Sequence, residues 1–397
     1  MTIQVTTNLT NSIRAQYLSK YVEGALGARL YDQFASPVAS DMSNVAKGSS
    51  VIVPFMSHLA PSSTTISQVN DVVPTIMRDA TATITPTSRT AAIQFSEALS
   101  LQAFTDYTAR AHERVGEQMQ NSIEQVAMNA ALAGSLVTRA AARASLDAGT
   151  ANNRLSRDIF INAAAMLQSI GITKADTPRG GRWMSLFNPL GLKDLLADSV
   201  ILAVGEYQAG EMILNGEIGE LNGIKIITDP RAKLFLAAGA ANGTAVETTL
   251  AADANALATT LTVASGTNIA AGQRLMVGTH ETGSTFYPTN EWVYVTGIDS
   301  VTVSFVGQGE NGGLLYDHAS GEAVSNDDNV MPVLFGGPES MAKVYQPEIG
   351  EYGQLVGPKK AGIVDQWDLL GWKWYGGYGI VSQNQLWRYE VSLGIDA

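Results

Sequence analysis

The sequence predicts an α+β fold built from several unlike segments in series. Three observations predict it. Apolar residues recur every fourth position from Phe95 to Ala131, the period of one long amphipathic helix. Residues 240–326 are rich in Thr, Gly, Ala and Val, with short alternating runs separated by Gly, Asn or Asp, which is the pattern of antiparallel strands. The last strands are crowded with aromatics: Trp367, Trp372, Trp374 and Trp387 are four of the chain's 6 tryptophans, and Tyr378 and Tyr389 lie among them.

Composition narrows the function classes. The chain has 397 residues, a length that favours two or three domains. Apolar residues make up 45%, so the chain is globular. Only 16% are charged, against about 25% in an ordinary soluble domain, so partners are expected to cover much of the surface. A net charge of −12 argues against a sequence-reading nucleic-acid binder, which needs a basic face for the phosphates. The same charge permits a place beside DNA without adhesion. The absence of cysteine excludes disulfides, thiol nucleophiles and thiolate metal sites, and fits folding in a reducing cytoplasm. The N-terminal stretch is polar, with no apolar signal core, and no apolar run approaches the ~18 residues of a membrane span, so no membrane partner is expected.

Each element has its own justification. Residues 1–46 lack a strong period apart from Ile13, Tyr17 and Tyr21, four apart, and read as an extended arm with one helical piece. Residues 47–95 hold two alternating limbs joined by a long polar stretch, a projecting β-hairpin with little to bury by itself. From Ser96 to about Ser135 the stripe of Leu99, Tyr107, Val115, Met119 and Ile123, widened by Phe104 and Val126, predicts a helix of roughly 50–60 Å with Gly116 as the place for a kink. Residues 156–172 read as a second helix, with Ser156 as N-cap and Gly171 as its stop. Residues 182–188 read as a buried strand, and a third helix opens at Asn188 with Pro189 in its first position. Residues 216–230 give a turn and a strand. Four strands then form a small antiparallel barrel or sandwich that resembles neither flank, as an inserted domain would, and strands resume after Pro332.

Little in the chain looks catalytic. Gly307, Gly309 and Gly312 fit the dinucleotide fingerprint and follow a strand, but the fingerprint needs a helix next and this sequence does not open one. A glycine-rich hairpin turn is the better reading. His58, His112, His280 and His318 lack metal-ligand spacing. Asp327 and Asp328 read as a solvated linker rather than a calcium loop. The aromatic cluster is either a sugar-binding platform or a packed core or subunit interface. Leu370, Trp372 and Trp374 alternate, as do Trp387 and Tyr389, which favours strands with one buried face. No catalytic, cofactor or metal residues are expected, and the chain is not expected to be an enzyme. The candidate structural or interface residues are Trp367, Trp372, Trp374, Tyr378, Trp387, Tyr389, Phe104, Tyr107 and Met119.

The order of elements, with the stretches FNPLGLKDLL (187–196), GEIGELNGIKIITDP (216–230) and LFGGPESMAKVYQ (334–346), resembles the major capsid protein of tailed bacteriophages, the Hong Kong phage coat fold, and the coat proteins of short-tailed phages most of all. The resemblance covers nearly the whole chain outside the β-rich insertion. It implies an N-terminal arm over 1–46, an extended loop over 47–95, a spine helix and peripheral domain over 96–150, and an axial α/β domain over 151–240. An inserted β-domain would span 241–328, and strands over 329–397 would complete the axial and peripheral domains. It further implies a homo-oligomer of pentamers and hexamers closing an icosahedral shell, in the virion after assembly in the host cytoplasm. A portal, scaffolding or decoration proteins, and double-stranded DNA bound without sequence specificity would be its partners. Some relatives cross-link through a loop lysine, but here no lysine occurs between Lys47 and Lys174. The alternative function is a virion-surface or secreted carbohydrate-binding β-protein that uses the inserted domain and the C-terminal aromatics.

Overall fold

Among the described residues, apolar runs and alternating apolar residues make strands the commonest regular element, and amphipathic segments cover strand faces as helices. The computed structural model describes residues 30–37, 50–56, 59, 61–62, 76–77, 79–97, 107–139, 146, 153–172, 174, 181–197, 219–236, 246–281, 287–326, 329–362, 365–381 and 383–393. The described α-helices are α1 (Tyr107–Leu132), α2 (Arg157–Ile170) and α3 (Leu192–Leu196). The expectations for Ile13, Tyr17, Tyr21, His58, Phe104, Asp327 and Asp328 lie outside the described residues. The chain divides into two units. The first comprises Met1–Ala28, Thr87–Ile123 and Gln346–Tyr375, and the second Arg29–Pro86, Glu124–Tyr345 and Gly376–Ala397.

In the first unit, strand Trp367–Ile380, as far as Tyr375, pairs with Thr87–Ser96 and with Gln354–Ala361. Leu370, Trp372 and Trp374 point to the buried side, as do Phe95 and, from α1, Val115 and Met119. Gly371 lies against Thr87–Ser96 so closely that a Cβ there would sit 2.8 Å from the Ala91 carbonyl oxygen, so the aromatic row must be broken by a residue without a side chain. Phe95 belongs to this strand and not to α1. The four-residue spacing that joined it to Leu99 is a coincidence: β-branched Thr87, Thr90 and Ile93 favour extended backbone, and a neighbouring strand supplies the partner. α1 has 26 residues, about 39 Å, and continues through Gly116.

The expected hairpin is divided. Val51–Met56 pairs antiparallel with Asp79–Ile84, from Val51↔Ile84 to Met56↔Asp79. The second limb then stops at Thr85 and Pro86, where proline removes a ladder donor. Beyond it, Thr87–Ser96 pairs elsewhere. The base of the hairpin buries Val51 and Ile84 against Ala342 and Val344.

The second unit is organised by a mixed sheet in the order Val137–Arg139, Leu386–Ser392, Asn329–Gly336, Trp183–Phe187, Ile224–Thr228 and Glu220–Leu221, with Phe235–Leu236 also on Asn329–Gly336. Its central strands are apolar on both faces. Trp183, Phe187, Met331, Val333 and Phe335 join Ile159, Phe160, Ala163 and Leu167 of α2 in one core. Met184, Leu186, Val330 and Leu334 join Ala127, Ala131 and Leu132 of α1, with Tyr31 and Phe34, in the other. Alternation sends successive residues to opposite cores, so these strands read as unbroken apolar runs. Leu386–Ser392 belongs to the same class. Seven residues buried on nearly every position replace the one-faced strand expected around Trp387 and Tyr389.

Local signals set the connections. α2 starts after Ser156, which has extended backbone as expected, although its side chain makes no cap hydrogen bond. It ends at Gly171 (φ 77°), the left-handed stop that glycine favours. Asn188 Oδ1 accepts from Leu190 N at 3.1 Å, over a 3₁₀ turn at Pro189–Gly191 that leads into α3.

Residues 247–325 form six strands in the order Glu247–Thr249, Ala323–Ser325, Arg274–Gly278, Glu291–Asp299, Thr302–Val306 and Thr260–Thr262. The first and last of that order meet through Leu250↔Val263, with Ala251 N donating to Thr262 O and Ala264 N to Thr249 O, each at 2.8 Å. The sheet is therefore closed as a barrel, without free edges. Leu261, Leu275, Val277, Val293, Val295, Val303, Phe305 and Val324 fill it. The four expected strands are present. Glu247–Thr249 and Ala323–Ser325, three residues each, are too short for alternation to reveal.

Candidate functional site

The residues singled out from sequence fall at different depths. Trp372 and Trp374 are 3% and 2% exposed. Trp372 Nε1 donates to Gln118 Oε1 on α1, and Trp374 Nε1 to the Glu351 carbonyl, both at 3.2 Å. Rings in this position present no face to a sugar, so these two residues are packing. Met119 is buried in the same unit, and Trp367 is 40% exposed. In the second unit Trp387 is buried, donates to Thr138 Oγ1 at 2.8 Å and lies 5.7 Å from Phe335 and 5.8 Å from Tyr389 between ring centroids. Phe335 in turn meets Phe160 edge-on at 5.4 Å, which makes an aromatic row from α2 across the sheet. Tyr389 is half-buried, and burial pushes its hydroxyl up. Tyr378 donates its hydroxyl to Asp32 Oδ1 at 2.9 Å. Tyr107 opens the described part of α1.

Sequence reasoning missed the buried charges that fasten these elements. Glu390 is fully buried, with Arg388 Nε 3.2 Å from one oxygen and Arg139 Nε 3.0 Å from the other. Arg388 also donates through Nη1 to the Leu132 carbonyl at the end of α1. The signal was visible as Arg388 and Glu390, two apart in an otherwise apolar strand. Lys343 Nζ lies 3.1 Å from Asp32 Oδ2, which ties the turn Tyr31–Phe34 to strand Met341–Tyr345. Asp32 thus has both a cation and the Tyr378 hydroxyl.

A further pair joins barrel and sheet. Glu281 takes Lys233 at 3.2 Å and accepts from Leu236 N at 3.0 Å. Burial pulls the Lys233 amine down and pushes the Glu281 carboxyl up, each opposed by the partner's charge. Both ions are inside, so removing one leaves the other uncompensated. Lys233→Met is expected to cost about 3–5 kcal/mol and the double variant Lys233→Met/Glu281→Leu much less. Urea midpoints of the two variants check this, and equal losses would refute it.

In the barrel, His318 is buried with Nδ1 2.7 Å from Glu322 Oε2 and Nε2 3.1 Å from Glu291 Oε1. Burial pulls the imidazole pKa down and the two carboxylates push it up, with a raised net result. Each ring nitrogen thus faces a carboxylate oxygen, an arrangement that favours the protonated ring. His280 is instead 3.7 Å from Glu247. The glycine fingerprint is a loop closed by Gly307 N→Gly312 O and Gly309 N→Gly313 O, with a 3₁₀ turn at Glu310–Gly312 where a phosphate-binding helix would be required. Among the described residues, no three His, Cys, Asp or Glu are grouped to hold a metal, and no helix is long and apolar enough to cross a membrane.

No protein-family model and no curated protein matches the chain. Solved structures do match it. The capsid of Ralstonia phage GP4 superposes with a TM-score of 0.58 at 9% identity, over 99% of this chain and 98% of that one. The capsid asymmetric unit of cyanophage Pam1 gives 0.56 at 12%, over 97% and 98%. The mature capsid of bacteriophage PhiM1 gives 0.54 at 12%, over 98% and 96%. The chain has the tailed-phage major capsid fold. At such identity the capsid fold is kept by pattern rather than by particular residues.

Proposed function

We propose that the chain is a structural major capsid protein, not an enzyme, that self-assembles into the pentamers and hexamers of an icosahedral shell around double-stranded DNA. The observation that carries this is the likeness to phage capsid subunits over almost the full length of both chains. The chemistry of the molecule agrees. Its buried ions and aromatics are spent on fastening strands. Residues 47–86 are the extended loop to a neighbouring subunit, shortened from the expected 47–95 because Thr87–Ser96 pairs elsewhere; Ile52, Leu59, Ile76 and Met77 there are exposed apolar side chains suited to burial by a second copy. α1 is the spine of a peripheral domain begun by 96–150, and 151–240 is the core of an axial domain, with 329–397 completing both. Residues 241–328 are an inserted domain that acts as a brace or an outer protrusion. Location in the virion after assembly in the host cytoplasm, partnership with a portal and with scaffolding or decoration proteins, and non-specific contact with DNA belong to the same proposal.

Sedimentation velocity and negative-stain microscopy of the purified chain test it. Capsomers or shells are expected, and a monomer at every concentration tried opposes the reading.

A further inference from the structure

Glu124 projects from α1 and is 4% exposed. Its Oε1 accepts two backbone N–H groups, from Leu30 at 2.6 Å and Tyr31 at 2.7 Å. These begin the 3₁₀ turn Tyr31–Phe34, which has no side-chain cap of its own at Leu30. The cap is supplied by α1. The other oxygen, Oε2, is buried without a partner. The groups that face Glu124 are the Tyr31 phenol from the turn, and Asp229 and Arg231 from the loop after strand Ile224–Thr228. Arg231 is held by Asp229 at 3.3 Å, and Asp229 Oδ2 is itself buried without a partner. Two buried carboxylates thus feel the charge of one guanidinium, which is paired with Asp229 and partly exposed.

We propose that Glu124 is a proton-controlled clamp: the protonated carboxyl keeps Leu30 and Tyr31 docked on α1, and ionisation releases them. Opening at these two residues lets water reach the carboxylate, which the closed site denies it. Burial pushes the carboxyl from 4.5 up to about 7, against the N–H groups of Tyr31 and Leu30 and the Arg231 charge, and with the help of Asp229. The acid holds its proton more tightly when docked than when hydrated. Docking is therefore strongest in acid and weakens as pH rises from about 4.5 through about 7. Between pH ~6 and pH ~8.5 the docking constant falls about tenfold. Opening stops at Asp32, which is fastened by Lys343 and Tyr378, and at Ala35–Pro37, paired parallel with Met341–Lys343. The device is contained in one chain and operates whether or not the chain assembles.

Amide hydrogen exchange of the full chain at pH ~6 and ~8.5, each rate divided by that of the same amide in the unfolded chain, tests the proposal. Protection at Leu30 and Tyr31 is expected to fall about tenfold, while that of Met341–Tyr345 stays constant. Glu124→Gln should make the pair's protection independent of pH, and Asp229→Asn should move the transition to lower pH. A flat wild-type profile, or an undiminished slope in Glu124→Gln, overturns the clamp. The wild-type profile decides by itself if a variant does not fold.

Discussion

Glu390→Ala is expected to lower folding stability by about 3–5 kcal/mol, seen as a lower denaturant midpoint of tryptophan fluorescence. The carboxylate has no exposure, and its two oxygens hold two guanidinium groups, that of Arg388 equally buried. Alanine leaves a cavity and an uncompensated cation where water does not reach. Arg388 cannot escape, because it also serves the Leu132 carbonyl and lies over the Phe235 ring at 5.7 Å. The double variant Arg388→Met/Glu390→Leu continues the apolar run of the strand and should recover most of the loss. An unchanged midpoint in Glu390→Ala would show that the network is idle.

Trp374→Ala should also cost about 3–5 kcal/mol, through a large cavity and the loss of the indole N–H bond to the Glu351 carbonyl. Trp374→Phe keeps part of the ring volume but loses the N–H, and a cost nearer 1–2 kcal/mol is expected. Trp367→Ala, at the exposed start of the same strand, should stay within about 0.5 kcal/mol. Thermal and denaturant midpoints of the three variants give the ranking. Equal losses at Trp367 and Trp374 would contradict the assignment of Trp374 to the core.

Much of this fold was legible because local rules and tertiary packing agree. Leu370, Trp372 and Trp374 alternate and are buried together. Gly171 ends α2 where left-handed backbone is needed, and Asn188 caps the turn before α3. The glycine-rich 307–312 stretch is a loop, as the missing helix signal implied. Elsewhere a local pattern had two readings and distant contacts chose between them. Phe95 fits a helical stripe, yet its strand is drawn into a sheet with residues 367–375, far along the chain. Trp387 and Tyr389 suggest one buried face, but α1 and α2 cover both sides of their sheet. The charged fasteners were least visible. Glu124 lies 93 positions from Tyr31 and Lys233 pairs with Glu281, and no local spacing announces such partners.

The barrel's two ends bear on how such a chain can change over time. Glu247–Thr249 pairs with Ala323–Ser325, and Val246 N donates to Asn326 Oδ1 at 2.7 Å. The described ends of the barrel, Val246 and Asn326, thus lie side by side. Segments whose two ends are adjacent are the ones most readily exchanged without moving their flanks. Among the described residues, Met276, Trp292 and Ala323 on the outer wall pack on the host side, Glu281 binds Lys233 there, and the Tyr316 hydroxyl accepts from Gln125 Nε2 of α1 at 3.4 Å. We infer that residues 247–325 are a cassette, a place where an engineer can graft a foreign module provided that these contacts are kept.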